Sequence, residues 1–205
     1  MIMDRYIPGD IYKNIQKLLK YRNIDTNYKF LTIDEFSIEI NHYGYILIEG
    51  VVAEKKSFVL LFSPESNYAL KGPDFKSLFR SKFQKDILET GCDILIISEF
   101  PLSNHIKKVI DSFKIDYPKI FIEFYPYEKF IIEIPKHISV PKHEIAPKEE
   151  IDDLLTNYYK SKNSFPKMLA SDSAAIWIGA RPGDVVKISR ISDSAGKSIA
   201  YRLVI

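Results

Sequence analysis

At 205 residues, with 46% apolar and 27% charged side chains, the chain has the make-up of a globular protein of one large or two small domains. A single cysteine, Cys92, excludes an internal disulfide framework and suits a reducing compartment; the opening "MIMDRYIPGD" lacks the apolar run of a signal peptide, and the longest apolar runs, such as "ILII" at 94–97, are far too short to span a bilayer. The net charge of +2 is evenly spread: residues 139–205 hold 10 Lys/Arg and 8 Asp/Glu, leaving 19 of each for residues 1–138, so neither part is a basic module that holds nucleic acid tightly alone, and any such contact is expected to be local.

The first predicted element is a helix in "GDIYKNIQKLLKYR" (9–22), with Asp10 as N-cap and Ile11, Ile15, Leu18 and Leu19 on one face. "YGYILIEGVVA" (43–53) and "KSFVLLFS" (56–63) predict two strands joined by a short charged turn around Lys55 and Lys56. "DFKSLFRSKFQKDILETG" (74–91) predicts one helix, because Phe75, Phe79 and Phe83 recur four apart and Gly91 suits the residue after the last turn. "DILIIS" (93–98) is the continuous apolar run of a strand covered on both faces. "PLSNHIKKVIDSF" (101–113) predicts a helix capped by Ser103, with Ile106, Val109, Ile110 and Phe113 inward; "KIFIEFY" (119–125) and "KFIIEI" (129–134) follow as strands. Strands interleaved with helices argue for an α/β domain with a mixed sheet.

Prolines 135, 141 and 147, set among polar residues, mark 139–147 as an extended linker. Pro147 then suits the first turn of a helix whose apolar face is Ile151, Leu154, Leu155, Tyr158 and Tyr159. "SDSAAIWIG" (171–179) predicts a short helix capped by Ser171 or Asp172 and closed by Gly179, and "RPGD" (181–184) a turn in which Gly183 takes positive φ. "VVKISRI" (185–191) and "SIAYRLVI" (198–205) are strands of a hairpin around "SDSAGK", with Gly196 as a loop residue. The expected fold class is α/β (α+β): a mixed sheet with flanking helices over 1–138, the linker, and a small domain of helices plus a β-hairpin over 148–205.

The segments "VPKH" (140–143), "PKEEIDDLL" (147–155), "FPKMLASD" (165–172), "GARPGDVVKISR" (179–190) and "SAGKSIAYRLVI" (194–205) resemble, in order and spacing, the C-terminal assembly domain of the fifth common subunit of eukaryotic nuclear RNA polymerases, a family that extends to the archaeal enzymes. The family's Asp-Pro-Val-Ala-Arg-Tyr stands here as Asp-Ser-Ala-Ala-Ile-Trp (172–177), and the cap before its first helix, commonly Thr or Ser, is Ala146. The N-terminal part resembles the eukaryotic jaw domain in element order only, including an "FSPE" turn at 62–65. The archaeal members of the family lack that domain. Its presence, the length and the Ile/Lys/Tyr richness are similar to the version carried by large cytoplasmic DNA viruses.

The resemblance implies a non-catalytic polymerase subunit without cofactor, metal or membrane partner. Its C-terminal domain would dock on the largest subunit among other polymerase subunits, and its jaw would lie near downstream double-stranded DNA, touched weakly and without sequence preference. It also implies residence in host cytoplasm and virion for a viral protein, or in the nucleus for a cellular one. Matching positions supply the assembly or interface candidates: His143, as a linker anchor, with Asp172, Gly183, Val185, Lys187, Arg190, Gly196, Tyr201, Arg202 and Val204. Trp177 is read either as core or as a partner-facing anchor, since Trp is enriched at interface hot spots. On the jaw, the start of the 101–113 helix takes the place of the family's DNA-proximal turn, though Pro101 and Ser103 are displaced from the pattern. A helix N-terminus capped by Ser103, with His105, Lys107 and Lys108 off the apolar stripe, suits one or two phosphates.

Other chemistries fit less well. A nuclease of the restriction type needs Pro-Asp followed by Glu-x-Lys; here Pro73-Asp74 comes after Glu54 and Lys56. His137 and His143 lack a cysteine partner and helical spacing, so a metal site is not expected, and Cys92 reads as a core thiol. "SAGK" lacks the frame of a phosphate loop. A stand-alone DNA-binding regulator is the alternative from another class, and the near-neutral halves argue against it.

Overall fold

A computed structural model describes residues 8–63, 73–83, 85–99, 102–159, 161–192 and 196–205. It separates into two units, Met1–Ile131 and Ile132–Ile205. The sequence reading ends the first domain at 138, and the two units divide at 131. The "FSPE" turn beyond Ser63, Pro101 and the hairpin loop at 193–195 lie outside the described residues.

In the first unit, helix α1 (Pro8–Tyr21) buries Ile11, Tyr12, Ile15, Leu18 and Leu19, the spacing of one helical face. Pro8 opens this helix, so Asp10 sits in its first turn instead of capping it. Helix α2 (Ile33–Tyr43) has no counterpart among the predicted elements. It is framed by a capping box, in which the Thr32 hydroxyl accepts from the Glu35 N–H while the Glu35 carboxylate accepts from the Thr32 N–H, and by Gly44 at φ 76°. The rings of Tyr12 and Phe36 stack at 4.3 Å, joining the two helices.

Strands β1 (Tyr45–Val52), β2 (Lys55–Phe62), β3 (Cys92–Ser98) and β4 (Phe121–Pro126) form a sheet in that order. β1 and β2 pair antiparallel; β2, β3 and β4 run parallel. The hairpin turns at Ala53 and Glu54, both at positive φ, so Lys55 and Lys56 already belong to β2. Parallel neighbours need crossovers. Helices α3 (Pro73–Lys82) and α4 (Lys85–Thr90) make the first and α5 (Asn104–Asp116) the second. Phe79, Leu88, Ile106, Ile110 and Phe113 from these helices, with Phe83 just after α3, pack on Phe58, Leu60, Ile94, Ile96 and Ile122 of the sheet. The edge of β1 is approached by residues 24–26 so closely that a Cβ on Gly50 would lie 2.5 Å from Ile24 Cγ2.

Two expectations fail here for geometric reasons. The single helix over 74–91 is instead two, α3 ending at Lys82 and α4 beginning at Lys85. At about 100° per residue, Leu88 would stand opposite Phe79 on a continuous helix, and the break turns both into one cluster. The strand over 129–134 is instead irregular chain between two 3-10 turns, Tyr127–Lys129 and Ile134–Lys136. Pro126 ends β4, and Pro135 withholds a ladder donor.

The second unit contains β5 (Lys142–Ile145), α6 (Lys148–Asn157), β6 (Lys167–Met168), α7 (Ser173–Ile178), β7 (Val185–Ser192) and β8 (Gly196–Val204), with sheet order β5-β7-β8-β6. The linker expected over 139–147 thus contains a strand, antiparallel to β7. Its prolines bracket that strand: Pro141 precedes it, and Pro147 is the N-cap of α6, replacing the expected Ala146, which is buried. The hairpin is likewise the centre of a four-stranded sheet. Adjacent residues of one strand point to opposite faces. Val185 and Leu203 join Ala146, Ile151 and Phe165 under α6, while Val186, Ile188 and Val204 join Met168, Ala174 and Ala175 under α7. The chain end is thus core through Leu203 on one face and Val204 on the other. It is also held along both edges: the N–H groups of Leu203, Val204 and Ile205 donate to the carbonyls of Pro166, Asp184 and Met168, and the Ile205 carbonyl accepts from Ala170.

Candidate assembly and nucleic-acid interfaces

On the first unit, the Ser103 hydroxyl caps α5 by accepting from the Ile106 N–H at 3.4 Å. Ile106, Ile110 and Phe113 are buried and Val109 half-buried, the predicted stripe. His105, Lys107 and Lys108 are exposed on the remaining surface of the first turns, where the two lysine charges and the helix N-terminus are open to an anion. Asp111, Lys114 and Asp116 share the exposed side further along, so the basic character is confined to the start of the helix.

The second unit sorts its candidates into three groups. Trp177, Val185 and Val204 are at most 1% exposed, so they build the core and offer nothing to a partner in the folded domain. The anchor reading of Trp177 gives way to the core reading: α7 is short, and its Trp is the largest side chain under it. Asp172, Gly183, Gly196 and His143 shape the backbone. Asp172 caps α7 by accepting from the Ala174 N–H at 2.8 Å; Gly183 and Gly196 hold φ values of 97° and 67°. His143 lies in β5 opposite Ile188, its Nδ1 2.7 Å from the Pro141 carbonyl, which makes Nδ1 the protonated nitrogen.

The third group carries polar chemistry. One Glu150 oxygen accepts from Lys187 Nζ and from the Tyr201 hydroxyl, each at 2.6 Å. These hydrogen bonds, that from Lys187 foremost, hold the Glu150 carboxyl below its ordinary range. Burial, then the hydrogen bond and charge of Glu150, push the Tyr201 phenol up to about 12. The cluster ties α6 to β7 and β8. Glu150 escapes a reading of the sequence because its partners lie 37 and 51 residues away. Arg190 and Arg202 are exposed. Among the described residues no three His, Cys, Asp or Glu side chains gather as a metal site. Burial pushes the Cys92 thiol up to about 11, away from thiolate chemistry.

Comparison with known proteins bears on both units. The family described as RNA polymerase Rpb5, C-terminal domain, matches residues 132–204, nearly the whole of the second unit. The "DNA-directed RNA polymerase RPB5 homolog" of African swine fever virus is 27% identical over 203 residues, covering 95% of either chain. "DNA-directed RNA polymerase subunit Rpo5" of Methanococcoides burtonii is 47% identical over 57 residues, 26% of this chain and 73% of the archaeal one. That of Archaeoglobus fulgidus is 48% identical over 54 residues, 26% of this chain and 71% of its own. These likenesses show that the chain belongs to the Rpb5 family of DNA-directed RNA polymerase subunits.

Proposed function

We propose that this chain serves a multi-subunit DNA-directed RNA polymerase as a non-catalytic subunit. Its second unit docks on the largest subunit. Its first unit forms part of the jaw beside downstream duplex DNA, with the start of α5 toward the phosphates. The family match over 132–204, joined to full-length similarity with viral relatives, carries this reading. The same viral relatives favour transcription in host cytoplasm and packaging in the virion.

The physical arrangement suits the role. A near-neutral chain with one short basic turn adds a weak, non-specific contact to a larger clamp and does not hold DNA by itself. Affinity purification of the tagged chain from cells expressing its polymerase, followed by mass spectrometry, tests the reading. Recovery of both large subunits in stoichiometric amount is the expected result. A chain recovered alone that shifts duplex DNA at physiological salt would instead be a free-standing regulator.

A further inference from the structure

The α6 face of the second unit's sheet is only partly covered. Val185, Leu203, Lys187 and Tyr201 meet α6. Farther along the same face, Ile191 stands 91% exposed and Ile199 46% exposed. Strand β5 begins at Lys142, opposite Ser189, so among the described residues 190–192 of β7 have no strand on that side. Residues 138–141 run past this gap and leave a groove of about 840 Å³. Ile138 on one wall is 99% exposed. Arg190 and Lys197 contribute cations; Lys142 and Lys187 also line it but are paired with Glu144, the one carboxylate of the lining, and with Glu150.

We propose that this groove seats an extended segment of a polymerase partner subunit in which aliphatic side chains alternate with carboxylates. The proposal rests on the polymerase-subunit reading above. Two nearly bare isoleucines facing one groove are the kind of apolar surface that a partner covers. The open ladder at 190–192 offers main-chain donors and acceptors to an added strand. The excess of cations selects an acidic occupant. Nucleic acid fits less well: Lys142 is engaged by Glu144 at 2.7 Å, Lys187 is taken by Glu150, and a phosphate backbone makes no use of the isoleucines. A second copy of this chain would bring the same cations against themselves.

The test uses the full chain co-expressed with its polymerase. Ile191→Asp and, separately, the pair Arg190→Glu and Lys197→Glu are expected to lower incorporation into the enzyme about tenfold or more, as loss of an interface anchor does. Emission of the buried Trp177 should stay at its wild-type wavelength, since all three positions are exposed. A photo-crosslinking residue at position 191 is expected to capture an acidic, aliphatic stretch of a polymerase subunit. Wild-type incorporation of both variants overturns the groove assignment, as do crosslinks to nucleic acid or to a second copy of this chain. If the unmodified chain itself fails to enter polymerase, the subunit reading falls and the groove assignment with it. Wild-type entry combined with indifferent variants overturns the groove alone.

Discussion

Both sheets bury apolar residues on two faces, but the first unit fills its core with large rings whereas the second works with a smaller supply of apolar residues. Phe58, Phe79, Phe83 and Phe113 share one cluster in the first, beneath two crossovers. The second has Ala174, Ala175 and Ala180 in one cluster and five buried residues in the other. The ion pairs differ as well. Arg22 and Glu123 join the end of α1 to β4 with side chains 9% and 10% exposed, while Glu150 and Lys187 keep about a quarter of theirs in solvent. A small unit with thin cores depends on main-chain stitching and on caps. Its motifs are therefore long and legible, because each turn and strand end must be specified locally. In the first unit the caps of α2 and α5 stand beside a thick aromatic core.

The most severe way to break that comparison is to remove 201–205. The cut takes away Leu203 from one core and Val204 from the other, with the bonds to Pro166, Met168 and Asp184. Hydrogen exchange is expected to show 132–200 unprotected and the first unit intact. A protected second unit would mean that the two thin cores hold without their last strand. Next in size are Trp177→Ala and Phe79→Ala, each expected to cost about 3–5 kcal/mol of the unit that carries it. The same loss should unfold the second unit at 25 °C and leave the first folded, because a unit of this small size has less stability to lose. Equal survival in urea titrations would erase the contrast.

Legibility follows the same division. The span from Asp172 to Gly179 is readable in full, because a cap, a small-residue turn of helix and a glycine stop are local chemistry. Ser103 and its stripe are readable for the same reason. Helix α2 is not, though Thr32 and Glu35 carry a capping box; Ile38, 72% exposed, blurs its apolar spacing. Strand β5 is four residues between prolines, and its strand character comes from β7, more than 40 residues away. "KFIIEI" has the composition of a strand, but the chain turns between Pro126 and Pro135 and joins no ladder. The groove at Ile138 and Ile191 has no local signature, since it exists only beyond the start of β5, where β7 runs on without it.

A smaller effect sharpens the contrast through pH. Glu150 has a lowered folded pKa, so its contribution is present above the ordinary carboxylate pKa and is lost as pH falls through the folded value. Tyr201 has a raised one, so its contribution is present below pH 10 and is lost as pH rises toward about 12. Glu150→Gln should cost about 1 kcal/mol at neutral pH, as charge-assisted bonds at a partly exposed site do. It should also flatten the acid limb of the second unit's stability profile, read from Trp177 emission. An unchanged acid limb would remove Glu150 from the account.

The smallest expected change in stability is the most informative for the jaw. Lys107 and Lys108 are exposed and off the buried stripe of α5, so replacing both by Glu should alter unfolding by no more than about 0.5 kcal/mol. Assembly into polymerase should proceed as before. If the two lysines reach phosphates, elongation complexes carrying the double variant should dissociate sooner, and the difference should change with salt. Each lost phosphate contact lowers the salt dependence of binding by about 0.9 in logarithmic slope, so the pair should lower it by about 2. A slope lowered by only about 1 would leave a single contact at the helix start. Lifetimes equal to wild type across a salt series, in a fully assembled enzyme, would move the DNA contact away from α5.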